Sequence, residues 1–155
     1  MTMRVFLFCL IAAAMLGCGN SGLSGASSRQ HSIDHKTGKV KRDFDQAQIK
    51  RGESVYNTHC SGCHGANGAA TPEWRKPGAD GKYPPPPLDS TAHAWHHSTE
   101  VLKQTILKGT PPEIGSMPAW EGKLTGQQVD DVIVWIKSLW SDEIYDVWFR
   151  NFEGK

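Results

Sequence analysis

Cys60 and Cys63 stand two residues apart and are followed at once by His64, which brings two thiols and an imidazole into one short stretch, Cys60-Ser61-Gly62-Cys63-His64. Three chemistries use such a stretch. Two cysteines at this spacing form thioethers with the two vinyl groups on one edge of a haem, and the histidine that follows then lies beneath the ring within reach of the iron. The same pair also serves as a dithiol redox couple, or as half of a tetrahedral zinc site, with the histidine incidental. Only haem attachment uses all three residues, so it leads, with the other two left open.

A second candidate lies 53 residues beyond His64. Met117 is the one methionine after Met15, and it sits in Gly115-Ser116-Met117-Pro118-Ala119-Trp120, a stretch without helical periodicity. A methionine beside proline in a loop has little core-packing reason to be there, whereas soft thioether sulfur in the sixth position of a histidine-bound haem suits electron transfer. An incidental loop methionine is the alternative. The segment His93-Ala94-Trp95-His96-His97 is more ambiguous. On a helix its histidines would share a face at i, i+3 and i+4 and could form a second metal site, or one of them could replace Met117 on the iron. No carboxylate or thiol stands near them at ligand spacing, so polar residues at the rim of the site are the plainer account.

Helices must position these groups. From Asp45 to His59 the chain carries Ile49, Gly52, Val55 and Tyr56 on one helical face, with Asp43 or Asp45 as cap, and it runs straight into the cysteine motif. Residues 65–90 hold most of the prolines and read as loop, with Pro84 to Pro87 extended. A second helix is signalled by Ser98 or Thr99 as cap, Glu100 in the first turn and Val101, Leu102, Thr105 and Ile106 on one face, with Gly109 and Pro111 as its stop. After Thr125 comes the strongest periodicity, Val129, Val132, Ile133, Ile136, Leu139 and Trp140. No alternating strand and no repeat is visible, which predicts an all-α domain of roughly 100 residues with long loops.

The ends of the chain read differently. Residues 1–18 predict a secretion signal: Arg4 supplies the positive start, and the apolar run Val5 to Leu16 is too short to span a bilayer. Residues 19–43 lack apolar periodicity and read as a flexible linker, residues 44–140 as the domain, and residues 141–155 as a C-terminal extension. That extension carries Ile144, Tyr145, Val147, Trp148, Phe149 and Phe152, expected to pack back on the domain rather than remain as an exposed docking surface. Charge is balanced, 17 basic against 16 acidic residues, and without Arg4 the two are equal, which leaves no footprint for nucleic acid.

Two resemblances extend this reading. Met15-Leu16-Gly17-Cys18 resembles the lipobox of bacterial lipoproteins, whose cysteine takes lipid after cleavage, and Gly19 after it resembles the outer-membrane rather than the inner-membrane class. Gly52, Tyr56, Cys60, Cys63, His64, Met117, Pro118, Val132 and Trp135 stand in the order and approximate spacing of a class I cytochrome c, over residues 45–140. The resemblance implies the all-α class I fold, with N- and C-terminal helices crossing at Gly52 and loops wrapping one covalent haem c. It implies His64 and Met117 as axial ligands, the carbonyl of Pro86 or Pro87 on the other nitrogen of His64, and the Trp95 ring N–H on a haem propionate. Plain core packing is the alternative role for Trp95. With Cys9 in the signal, Cys18 lipidated and Cys60 and Cys63 on haem, no cysteine is left for a disulfide. The expected protein is a monomeric one-electron carrier of a respiratory chain, in the bacterial periplasm, anchored through Cys18 and serving redox protein partners. Its alternatives are a fixed cytochrome subunit of a membrane oxidoreductase and a haem peroxidase or gas-binding protein with an exchangeable sixth ligand.

Overall fold

A computed structural model describes residues 31–113 and 115–154. The expected signal, Cys18 and the first part of the expected linker lie outside the described residues. In chain order the elements are strands β1 (His31–Ile33) and β2 (Val40–Arg42), helices α1 (Gln46–His59), α2 (Ser61–His64), α3 (Thr99–Lys108), α4 (Gly126–Ser138) and α5 (Asp142–Trp148), and a closing π-helical turn, Phe149–Glu153.

Local chemistry starts and stops the helices. The Asp45 carboxylate accepts the Ala47 N–H at 2.9 Å and so caps α1. Thr125 and Gln128 form a reciprocal capping box at the start of α4, each side chain accepting the other's backbone N–H. Ser98 caps α3 through the Val101 N–H, and α3 ends at Gly109, whose φ of 71° suits glycine.

The core is built where α1 crosses α4. Gly52, Val55 and Tyr56 are buried on α1, facing Val129, Val132, Ile133, Trp135 and Ile136 of α4. The crossing brings backbone against backbone at Gly52, where a β-carbon would fall 2.1 Å from the Asp131 carbonyl oxygen and 2.8 Å from the Trp135 β-carbon. Tyr56 stacks on Trp135 with ring centroids 4.1 Å apart, filling the space beside that contact. At its edge the Arg51 guanidinium grips the buried Asp131 carboxylate with two bonds, of 2.8 and 3.1 Å.

Of the two chain ends, the N-terminal one departs from expectation and the C-terminal one packs back on the domain. Residues 31–42, expected as linker, form an antiparallel hairpin with His31 opposite Arg42 and Ile33 opposite Val40. The turn has its own chemistry, since the Asp34 carboxylate accepts the Lys36 and Thr37 N–H groups and Gly38 takes φ 66°. Three-residue strands are too short to show alternation in sequence, and tertiary contacts hold them. Val40 is buried and its N–H donates to Asp146 at 2.7 Å, while the Arg42 guanidinium donates to the carbonyls of Lys137, Ser138 and Trp140 and pairs with Asp142. Arg42 thus caps the C-terminal end of α4, where the Lys137 carbonyl also accepts the Trp140 N–H.

The C-terminal extension belongs to the core. Tyr145 and Trp148 are 2% exposed, and the Trp148 indole donates to the His97 carbonyl at 2.8 Å, as the Trp140 indole does to Leu88 at 2.9 Å. The described residues thus pack together from the hairpin through the π-helical turn, with the extension laid against the domain. Lys137 is enclosed by this arrangement, with Nζ donating to Thr99 Oγ1 at 2.6 Å and lying 4.3 Å from the centre of the Trp148 ring.

Candidate haem site

The motif sits where α1 gives way to α2. Cys60 closes α1 through its N–H to Tyr56, and both the Cys63 and His64 N–H groups donate to the Cys60 carbonyl, so one turn of helix carries both thiols and the imidazole. Cys60 is half-buried and Cys63 exposed. Burial pushes the Cys60 thiol up to about 11, with Cys63 adding to the shift. A raised thiol is a poor attacking nucleophile, so Cys60 is unsuited to that part in a dithiol couple. Among the described residues no group of three or more His, Cys, Asp or Glu is placed to hold a metal ion. In the histidine segment Ala94–His96 forms only a single 3₁₀ turn, with His93 and His96 exposed.

The His64 ring is held from one side. Its Nδ1 lies 3.4 Å from the Pro86 carbonyl, which only accepts, so Nδ1 carries the proton and Nε2 keeps its lone pair. Burial lowers the imidazole below the usual histidine range, and the Pro86 hydrogen bond acts the other way. The ring is thus neutral at pH 7, the form that binds a metal.

Tyr56 has a role beyond the packing that its position in the sequence suggests. Its hydroxyl donates to the Gly65 carbonyl at 2.6 Å and accepts the Gly68 N–H at 3.0 Å, pinning the turn that follows His64. Gly68 is buried against Leu88 and Leu139, at a φ of 71°.

Met117 lies half-buried on the segment that runs back along the end of α3. That segment meets the motif's helix through Trp120, whose ring packs edge-on against His59 at 5.3 Å. Trp95 is half-buried at the border of the core, as are Cys60, Leu88, Leu102, Ile106 and Trp120. Its Nε1 is the one buried side-chain polar atom among the described residues without a hydrogen-bond partner. A buried donor left unpaired is costly, by about 1–3 kcal/mol, and an acidic group of a cofactor is the kind of acceptor that would satisfy it. The residues fit a haem: two thiols on one turn, a neutral imidazole with a free nitrogen, an apolar half-buried border and an orphaned donor.

Helices crossing at a glycine, with the attachment motif at the end of the first, define a class I c-type cytochrome. A family model described as cytochrome c oxidase, cbb3-type, subunit III matches residues 47–136, and the chain belongs to this family. The cbb3-type cytochrome c oxidase subunit CcoP of Azospirillum brasilense is 25% identical over 130 residues, covering 83% of this chain and 41% of the relative. The corresponding subunit FixP of Bradyrhizobium diazoefficiens is 28% identical over 102 residues, covering 64% and 29%. Among solved structures, cytochrome cL of Methylophaga aminisulfidivorans MPT superposes with a TM-score of 0.50 at 25% identity, over 73% of this chain and 70% of that one. The chain thus spans about two fifths or less of the length of these two oxidase subunits. Its cytochrome c domain is of the kind that binds one c-type haem covalently and transfers electrons.

Thr110 and Gly109, which contact the backbone of Met117, were not legible as site residues. Gly109 showed in the sequence only as a helix stop, and Thr110 gave no signal.

Proposed function

We propose that the chain carries one electron at a time on a haem held by Cys60 and Cys63 and ligated by His64 and Met117. Bound haem supplies the iron couple. The protein's own part is to fix His64 through Pro86, to offer the Met117 thioether, to place the Trp95 N–H toward a propionate and to keep water from the apolar border. The orphaned Trp95 Nε1 carries this reading, because it is a buried donor for which the described residues provide no acceptor. Were His64 and Met117 both to hold the iron, chemistry at the metal would be disfavoured and electron transfer left.

The test is an optical and redox titration of the holoprotein beside Met117→Ala. Wild type is expected to show the weak long-wavelength band of sulfur-ligated ferric haem and to resist carbon monoxide when reduced. Met117→Ala should lose the band, bind carbon monoxide and drop in potential by at least about 60 mV, a tenfold change for one electron. Wild-type protein that binds carbon monoxide readily would instead establish the peroxidase or gas-binding reading.

The apolar run Val5 to Leu16 and the lipobox-like Met15 to Cys18 support export to a bacterial periplasm and attachment through lipid on Cys18, with Gly19 favouring the outer membrane. No helix among the described residues is long and apolar enough to cross a membrane. Cys18→Ser is expected to move most of the haem protein from the membrane fraction to the soluble one; undiminished membrane association would refute the anchor. Electrons pass to and from redox protein partners. The subunit names of the oxidase relatives favour a second reading, a fixed entry subunit of a membrane oxidase, which co-purification with a larger complex would support.

A further inference from the structure

The end of α3 and the methionine segment are joined by backbone hydrogen bonds and by a Lys108–Glu121 ion pair at 2.7 Å. Trp120 N–H donates to the Ile106 carbonyl at 3.2 Å and Glu121 N–H to the Leu107 carbonyl at 3.0 Å, so the segment after Met117 satisfies carbonyls that α3 leaves open. Gly109 lies directly against the same segment: a β-carbon there would stand 2.5 Å from the Met117 carbonyl oxygen and 2.9 Å from Ala119 N. Thr110 then takes both peptide groups of Met117. Its N–H donates to the Met117 carbonyl at 3.0 Å, and its Oγ1 accepts the Met117 N–H, also at 3.0 Å. One residue therefore closes the neck of the loop that leads into Met117. Gly115 leaves room for this, since a β-carbon there would fall 2.7 Å from Thr110 Oγ1.

We propose that Thr110 is the positioning residue for Met117, its hydroxyl holding the Met117 amide so that the thioether stays presented as an axial ligand and yields slowly to outside ligands. This rests on the His64 and Met117 ligation proposed above. For an outside ligand to take the sixth position, the methionine must leave, and the segment bearing it must shift away from α3. The hydroxyl bond opposes that shift. Valine at position 110 keeps the side chain's shape and the Thr110 N–H bond but leaves the Met117 N–H without its acceptor.

The test compares wild-type holoprotein with Thr110→Val, Thr110→Ser and Met117→Ala, reading ferric imidazole affinity by optical titration together with the long-wavelength sulfur band and thermal midpoint. Thr110→Val should bind imidazole about two- to tenfold more tightly than wild type, the equivalent of one lost hydrogen bond, with a weaker sulfur band. Thr110→Ser, which keeps the acceptor, should stay within about twofold. Imidazole affinity in Thr110→Val equal to wild type, with Met117→Ala much tighter, would overturn the clamp and leave the ligation standing. A lowered midpoint with unchanged affinity does the same, since that is a purely structural role. Met117→Ala no tighter than wild type would overturn the ligation and the clamp with it. Should Thr110→Val not accumulate with haem, hydrogen exchange in wild type decides: the proposal requires a protected Met117 amide, and exchange at the rate of an open loop refutes it.

Discussion

Gly52→Val is expected to destabilise the holoprotein by about 3 kcal/mol or more, lowering its thermal midpoint by on the order of 10 °C, and to reduce haem retention. The cause is space. A β-carbon at position 52 would meet the Asp131 carbonyl oxygen at 2.1 Å and the Asp131 carbonyl carbon at 2.7 Å, and neither is the end of a side chain that can turn away. Relief requires α1 to move off α4. That motion pulls on the Tyr56–Trp135 stack and on the Arg51–Asp131 pair, which flank the contact. Through Tyr56 it reaches the haem site, because the same hydroxyl holds Gly65 and Gly68 in the turn after His64. Gly126→Ala is the control, since a β-carbon there meets nothing within 4 Å. Unchanged midpoint and haem content in Gly52→Val would show that the helices do not touch there.

Stability is expected to rise between about pH 8 and pH 10, and Lys137→Met to flatten that rise while stabilising the protein at pH 7 by about 1–3 kcal/mol. Burial pushes the Lys137 ammonium down to about 8, against Glu153 and Asp130, which favour the charge. In the unfolded chain a lysine titrates near ~10.4. Between the two values the unfolded state holds a proton that the folded state has given up, so raising the pH favours folding. Below about pH 8 both states are protonated, and the folded one bears the full penalty of the buried charge. The rise ends near pH 10 for a second reason. Burial pushes Tyr56 and Tyr145 up to about 12, so the unfolded tyrosines lose protons first and stability falls again. Urea midpoints at pH 7 and pH 9 in both proteins measure the effect; equal slopes with pH in wild type and Lys137→Met would rule out Lys137 as its source.

Lys137 also shows where reading the sequence stops. On a helical wheel it is an ordinary polar residue near the end of α4, and its burial comes from Trp148 and Thr99, 11 and 38 positions away. The hairpin was missed for a similar reason. Asp34, Thr37 and Gly38 carry turn chemistry, yet six strand residues have no face of their own to bury until Asp146 and the end of α4 supply one. The three main helices were legible because caps and apolar faces act within one turn, as at Asp45, Ser98 and Thr125.

The sequence by itself determined the chemistry of this protein. Cys60, Cys63 and His64 are covalent neighbours, so one turn of helix brings them together whatever surrounds it, and Gly52, Tyr56 and Trp135 lie on helical faces whose period is a local property. Tertiary structure alone decided the rest: which of Pro86 and Pro87 offers its carbonyl to His64, that the Trp95 Nε1 is buried with no acceptor among the described residues, and that Thr110 grips Met117. Those contacts depend on how separate segments pack, and packing is set by the sum of many weak contacts between residues distant in the chain.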